Sequence, residues 1–162
     1  MYEKSIELLN QTIGDELTAV HQYMYFHFHC EDQGYELLSS LFKRIALVEM
    51  QHVERCAERI LFLKGDVEMA LSRPVKKIHD VKEMLEESRK IEQDSIIKYN
   101  KFANECSAHT DSGSKNVFES LVSEEELHYD DYDLEMDKIN KFGEHYLALQ
   151  SIESSKGEPV QA

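Results

Sequence analysis

Two segments of this chain read Glu-x-x-His: Glu49-Met50-Gln51-His52 and Glu125-Glu126-Leu127-His128. On a helix, a spacing of three sets both side chains one turn apart on the same face, so a carboxylate and an imidazole can grip one ion. Glutamate oxygens with imidazole suit iron, manganese or zinc and leave coordination positions open for dioxygen. Two further glutamates belong with them, because the chain repeats itself at an offset of 76 residues. That offset carries Glu16 onto Glu92, Tyr23 onto Tyr99, Glu49 onto Glu125 and His52 onto His128, and also Cys30 onto Cys106, Phe42 onto Phe118 and Ile45 onto Leu121. With 22 glutamates in the chain, matched glutamates alone would mean little; matched His and Tyr beside them mean more.

The elements that must position these groups are helices. Apolar residues recur at steps of three and four, which predicts helix A over about Tyr2 to Glu31 and helix B over about Glu36 to Lys64. Helix C is expected from about His79 to Ala108 and helix D from about Lys115 to Phe142, with breaks at Asp32-Gln33-Gly34, Gly65-Asp66, His109 to Ser114 and Gly143. A short amphipathic piece, Glu144 to Glu153, predicts a fifth helix. One domain over 1–153 and a flexible tail over 154–162 are expected. The B–C link, Gly65 to Ile78, is unusually long; at ~3.3 Å per residue it can span a whole bundle and set helix C parallel to helix B. The fold class expected is therefore all-α, a four-helix bundle with one long crossover.

Glu16 falls between Ile13 and Val20 on the apolar stripe of its helix. Glu49 and His52 fall between Ile45 and Cys56, and Glu125 and His128 between Leu121 and Tyr132. Buried carboxylates are costly unless paired or metal-bound, and four together repel without cations between them. The midpoint of Glu16 and Glu49 falls within the first turn and that of Glu92 and Glu125 at the edge of the second, so both pairs face each other near mid-bundle. One Glu from each of two helices and Glu-x-x-His from each of the others is the di-iron carboxylate arrangement of four-helix proteins. Tyr23 and Tyr99 read as core tyrosines that hydrogen-bond carboxylates.

Composition excludes other classes. The net charge of −14 repels phosphate backbones and argues against nucleic acid. The longest apolar runs are too short and interrupted for a membrane span, and no secretion signal is read at the N-terminus. Cys30, Cys56 and Cys106, an odd number without paired spacing, predict reduced core thiols in a cytoplasm.

The chain resembles the bacterioferritins. The matching stretches are Asp15-Glu16-Leu17-Thr18-Ala19-Val20-His21-Gln22-Tyr23, Glu49-Met50-Gln51-His52, Glu58-Arg59-Ile60-Leu61-Phe62-Leu63-Lys64-Gly65, Glu125-Glu126-Leu127-His128 and Gly143-Glu144-His145-Tyr146-Leu147. The resemblance implies a ferritin-like bundle and a ferroxidase that oxidises Fe(II) and stores ferric mineral in a shell of 24 subunits built from two-fold dimers. It assigns one iron to Glu16, Glu49 and His52 and the other to Glu92, Glu125 and His128, with Glu49 and Glu125 bridging and Tyr23 beside the site as part of the catalytic set. Met50 matches the methionine that ligates a b-type or related haem shared between two subunits, and a ferredoxin-type electron donor for iron release is implied. Arg44 and Val48 stand where some members carry His and Asp on the inner surface, so an auxiliary iron site there is not implied.

The rivals are a DNA-protecting mini-ferritin, a rubrerythrin-type di-iron peroxidase and a non-enzymatic helical interaction protein. The first places its iron ligands between subunits and lacks the fifth helix, whereas here the ligands complete within one chain. The second needs paired cysteines, which are absent from the sequence. Metal analysis discriminates the third.

Overall fold

A computed structural model describes residues 2–156. Its helices are α1 Glu3–Asp32, α2 Glu36–Phe62, α3 Val81–Ala108, α4 Ser112–Phe142 and α5 Glu144–Lys156. The first four pair as two hairpins, α1 with α2 and α3 with α4.

The two hairpin turns obey the same repeat as the metal-type residues. Gly34 takes a positive φ of 81°, and Tyr35 N–H donates to the Cys30 carbonyl at 2.8 Å. In the second hairpin Thr110 takes φ 58°, and Asp111 N–H donates to the Cys106 carbonyl at 2.9 Å. Both closures satisfy carbonyls that a helix end otherwise leaves orphaned.

The helix ends differ from the sequence-based expectation where capping decides them. α3 starts at Val81 because the Asp80 carboxylate accepts from Glu83 N–H at 3.0 Å. α4 starts three residues before the expected Lys115, because Asp111 caps Ser114 N–H at 3.1 Å and is itself fastened by Arg59 of α2 at 2.6 Å. α2 stops two residues early: Lys64, ahead of Gly65, takes the positive φ (65°), and Gly65 N–H closes on the Ile60 carbonyl. Gly65 is needed for closeness instead, since a Cβ there would lie 2.8 Å from the Ile6 side chain. α5 continues to Lys156, past the expected end at Glu153, since no glycine or proline interrupts it before Gly157. The remainder of the expected tail, 157–162, lies outside the described residues.

The crossover from α2 to α3 climbs along α1. Asn10 holds Asp66 and Glu68, Gly14 and Thr18 hold Ser72, and Gln22 grips Lys76 through both its carbonyl and its amide. These contacts advance together along α1 and along the link, so α3 begins beside the first turn and runs parallel to α2. The core lies in two apolar clusters. One is built around Tyr23, Phe26, Phe42 and Tyr132. The other is built around Leu9, Ile13, Ile60 and Phe118. Cys30, Cys56 and Cys106 are buried free thiols among these residues. No helix among the described residues is long and apolar enough to cross a membrane.

Candidate metal centre

Near the middle of the bundle, each of the four long helices turns one glutamate inward. Glu16, Glu49, Glu92 and Glu125 are at most 2% exposed, and His52 and His128 lie with them at 0% and 4%. Isolated ionised carboxylates cannot be buried in this way at tolerable cost, so the cluster needs counter-charge.

The ligand-type atoms form two overlapping sets, each gathered within 4.8 Å: Glu16, Glu49, His52 and Glu125 in one, and Glu49, Glu92, Glu125 and His128 in the other. Glu49 and Glu125 belong to both. His52 Nδ1 is 2.9 Å from Glu49, 3.0 Å from Glu125 and 3.5 Å from Glu16. His128 Nδ1 is 2.9 Å from Glu49, 3.3 Å from Glu125 and 3.9 Å from Glu92. The two imidazole rings stack with centroids 5.9 Å apart.

Several of these atoms are close without being hydrogen-bonded. Glu16 Oε1, both Glu49 oxygens, His52 Nδ1 and Glu125 Oε1 are buried and have no hydrogen-bond partner. Buried polar atoms are rarely left so, and a group of them converging on one space fits a pair of cations.

Electrostatics follow from the crowding. Burial, then the charges of Glu125 and Glu49, holds the Glu16 carboxyl well above the ordinary range. Burial, then Glu49 and Glu125, does the same for Glu92. For Glu125 burial pushes up, but His128 and His52 outweigh it and hold its carboxylate below the usual range. Burial would lower both histidines; the surrounding carboxylates prevail, raising His52 far above its ordinary value and His128 to about 9. Protons thus occupy, in part, the charge-balancing role of cations.

The flanking groups are unequal. Tyr23 Oη donates a hydrogen bond to Glu92 Oε1, and its ring packs tilted against Tyr132 with centroids 5.4 Å apart. His52 Nε2 meets Glu124 Oε2 at 2.9 Å, and Arg55 holds the same oxygen at 2.7 Å. This leaves His52 Nδ1 facing the cluster. The repeat relates Glu124 to Val48 and Arg55 to Asp131, so His128 has no equivalent brace.

All seven residues expected around the site, Tyr23 included, are therefore brought together. Nothing in the sequence marks Glu124 and Arg55 beyond the one-turn spacing of His52 and Arg55: the run Glu124-Glu125-Glu126 reads as a solvated face apart from Glu125. Met50 is half-buried and lies apart from the cluster, on the helix α2 surface where Leu47 is 56% exposed. Leu17, Val20 and Met24 of α1 are likewise half-buried. Val20 and Met24 line a hollow of about 450 Å³ with His21, Tyr25, Phe28 and Val75. Arg44 pairs with Asp131 at 2.8 Å.

Comparison with known proteins agrees with this architecture. A ferritin-like domain family matches residues 6–142. A bacterioferritin of Desulfovibrio desulfuricans is 34% identical over 95% of this chain and 87% of its own length. That of Brucella melitensis is 33% identical over 96% and 97%. The solved bacterioferritin of Rhodobacter capsulatus superposes with a TM-score of 0.88 at 30% identity, covering 98% of this chain and 96% of that one; its structure is described with a metal-free dinuclear site and a haem iron on a crystallographic special position. The chain belongs to the bacterioferritin family of ferritin-like iron-storage proteins.

Proposed function

We propose that this protein is a ferroxidase that takes up two Fe(II) ions per subunit, oxidises them, and passes Fe(III) to a mineral held within an oligomeric shell. The observation that carries this reading is the pair of ligand sets sharing Glu49 and Glu125. Glu16 and His52 would be the terminal ligands of one ion, Glu92 and His128 those of the other, and Glu49 and Glu125 the bridges. Fe(II) is the substrate; its electrons pass to dioxygen or peroxide.

The chain's own residues prepare the site. Four carboxylates would offset the charge of two dications, and protons that the ligands hold in the metal-free site would be displaced as the ions bind. Tyr23 orients Glu92, and Glu124 with Arg55 fixes the His52 ring so that Nδ1 is available. The apolar wall of Phe42, Tyr132 and Phe118 excludes bulk water, which strengthens each charge interaction.

Met50 would ligate a haem at a two-fold interface, one thioether from each subunit. A thioether suits low-spin haem iron and favours its reduced state, and the bound haem would carry electrons toward stored mineral. The partly exposed apolar strip of Leu17, Val20, Met24 and Leu47 supports this, since such a strip is most simply covered by the same strip of a second copy. Assembly into 24 subunits, a ferredoxin-type donor for iron release, a cytoplasmic setting and the 1–153 domain boundary complete the reading.

The test is aerobic Fe(II) oxidation. Wild type should oxidise far above the buffer rate, and changing Glu16 and His52 together to Ala should abolish the excess. A double variant as fast as wild type overturns the site. For haem, Met50→Leu should remove the haem absorption band while Fe(II) oxidation persists; a variant that keeps its haem overturns that assignment.

A further inference from the structure

The internal repeat pairs residues crosswise between the hairpins. Tyr23 follows Glu16 by seven residues on α1, yet its hydroxyl donates to Glu92 of α3. Tyr99 follows Glu92 by the same seven residues on α3. The operation that takes Tyr23 to Tyr99 takes Glu92 back to Glu16, so Tyr99 should serve Glu16 as Tyr23 serves Glu92.

In the structure both members of this second pair are buried, each with an unsatisfied oxygen. Tyr99 is 0% exposed, and its hydroxyl has no hydrogen-bond partner. Glu16 Oε1 is equally buried and equally without one. α1 and α3 pack against each other, as the Tyr23–Glu92 bond shows, so the repeat sets Tyr99 toward Glu16; in keeping with this, the Glu16 carboxylate is, after burial, the strongest influence raising the Tyr99 phenol. A buried phenol against apolar Phe102 and Phe118 would pack as well without its oxygen, so the hydroxyl calls for an acceptor.

Resting on the di-iron reading above, we infer that Tyr99 is a positioning residue for Glu16, donating its hydroxyl proton to that carboxylate when the site is metal-loaded. The ligand is then held in its coordinating orientation, as second-layer partners hold metal-bound carboxylates generally. One consequence is an inequality between the two halves. Glu16 is held by Tyr99 and His52 by Glu124, whereas on the other side only Glu92 is held, by Tyr23.

The test uses Co(II), which reports coordination by its visible absorption and needs no turnover, added to the assembled metal-free protein. Wild type should bind two Co(II) per chain. Tyr99→Phe should weaken one of the two steps by roughly tenfold or more, and Tyr23→Phe should weaken the other. In an Glu16→Ala background, Tyr99→Phe should cost no further affinity, as expected if it acts only through that carboxylate. Unchanged Co(II) affinity in Tyr99→Phe, or an equal loss in the Glu16→Ala background, overturns the inference while leaving the di-iron reading standing. Failure of wild type to bind Co(II) overturns the di-iron reading instead. A crystal structure of the Zn(II)-loaded wild type gives a check free of any variant: Tyr99 Oη within hydrogen-bond distance of Glu16 supports the inference, and a separation too long for one overturns it.

Discussion

Loading the metal-free site with two divalent ions should release at least about two protons per subunit at pH 7. The His52 and His128 imidazoles are held in their protonated forms there by the carboxylates around them, while burial and neighbouring carboxylates hold the Glu16 and Glu92 carboxyls above the ordinary range. Neither imidazole can ligate through a protonated nitrogen, so each gives up its proton, and any proton on Glu16 or Glu92 adds to the release. The surrounding carboxylates hold His128 up to about 9 against an ordinary 6.5, so above pH 9 the count should fall by about one. Affinity for the two ions should rise with pH up to about 9, because the displaced protons compete with the metal for these ligands. Zn(II) is the probe, because it binds without oxidation. Calorimetry in buffers of different ionisation enthalpy reads the proton count directly. A release of one proton or fewer per pair of Zn(II) at pH 7 would refute the protonation pattern, and with it the claim that protons stand in for cations.

Without metal, the protein should lose stability as pH rises from about 6.5 to about 9. The folded His128 holds its proton to a higher pH than the unfolded chain does, so its contribution is full below the unfolded value and is lost through the folded one. Melting temperatures in chelator at one protein concentration should therefore fall over that range; a rise is incompatible with the argument. At pH 7 the metal-loaded protein should melt above the metal-free one, and the gap should narrow toward acid as the carboxylates protonate. Glu124→Ala should weaken Zn(II) binding by roughly tenfold, near the lower end for such braces because Glu124 is partly exposed, and equal affinity would show that His52 needs no support. Gly113→Ala would set a methyl 2.5 Å from the Arg59 guanidinium and dislodge it from Asp111, costing about 1–3 kcal/mol by denaturant titration with no loss of bound Zn(II).

Much of this protein follows from the sequence alone, because its information is periodic. The 76-residue offset, the Glu-x-x-His spacing and the apolar stripes each depend only on helix geometry, and together they place Glu16, Glu49, Glu92 and Glu125 at one level. The length of the B–C link likewise implies its span, because a chain's reach depends on residue number. What required the tertiary structure was anything settled between elements distant in sequence. The path of the link beside α1 depends on Asn10, Thr18 and Gln22, ordinary polar residues until their partners on the link arrive. Lys64 takes the left-handed turn because Gly65 must press against Ile6. Glu124 is indistinguishable from Glu126 until His52 and Arg55 of α2 come against it. Periodicity says which face of a helix turns inward; only packing says which atom on a neighbouring helix it meets.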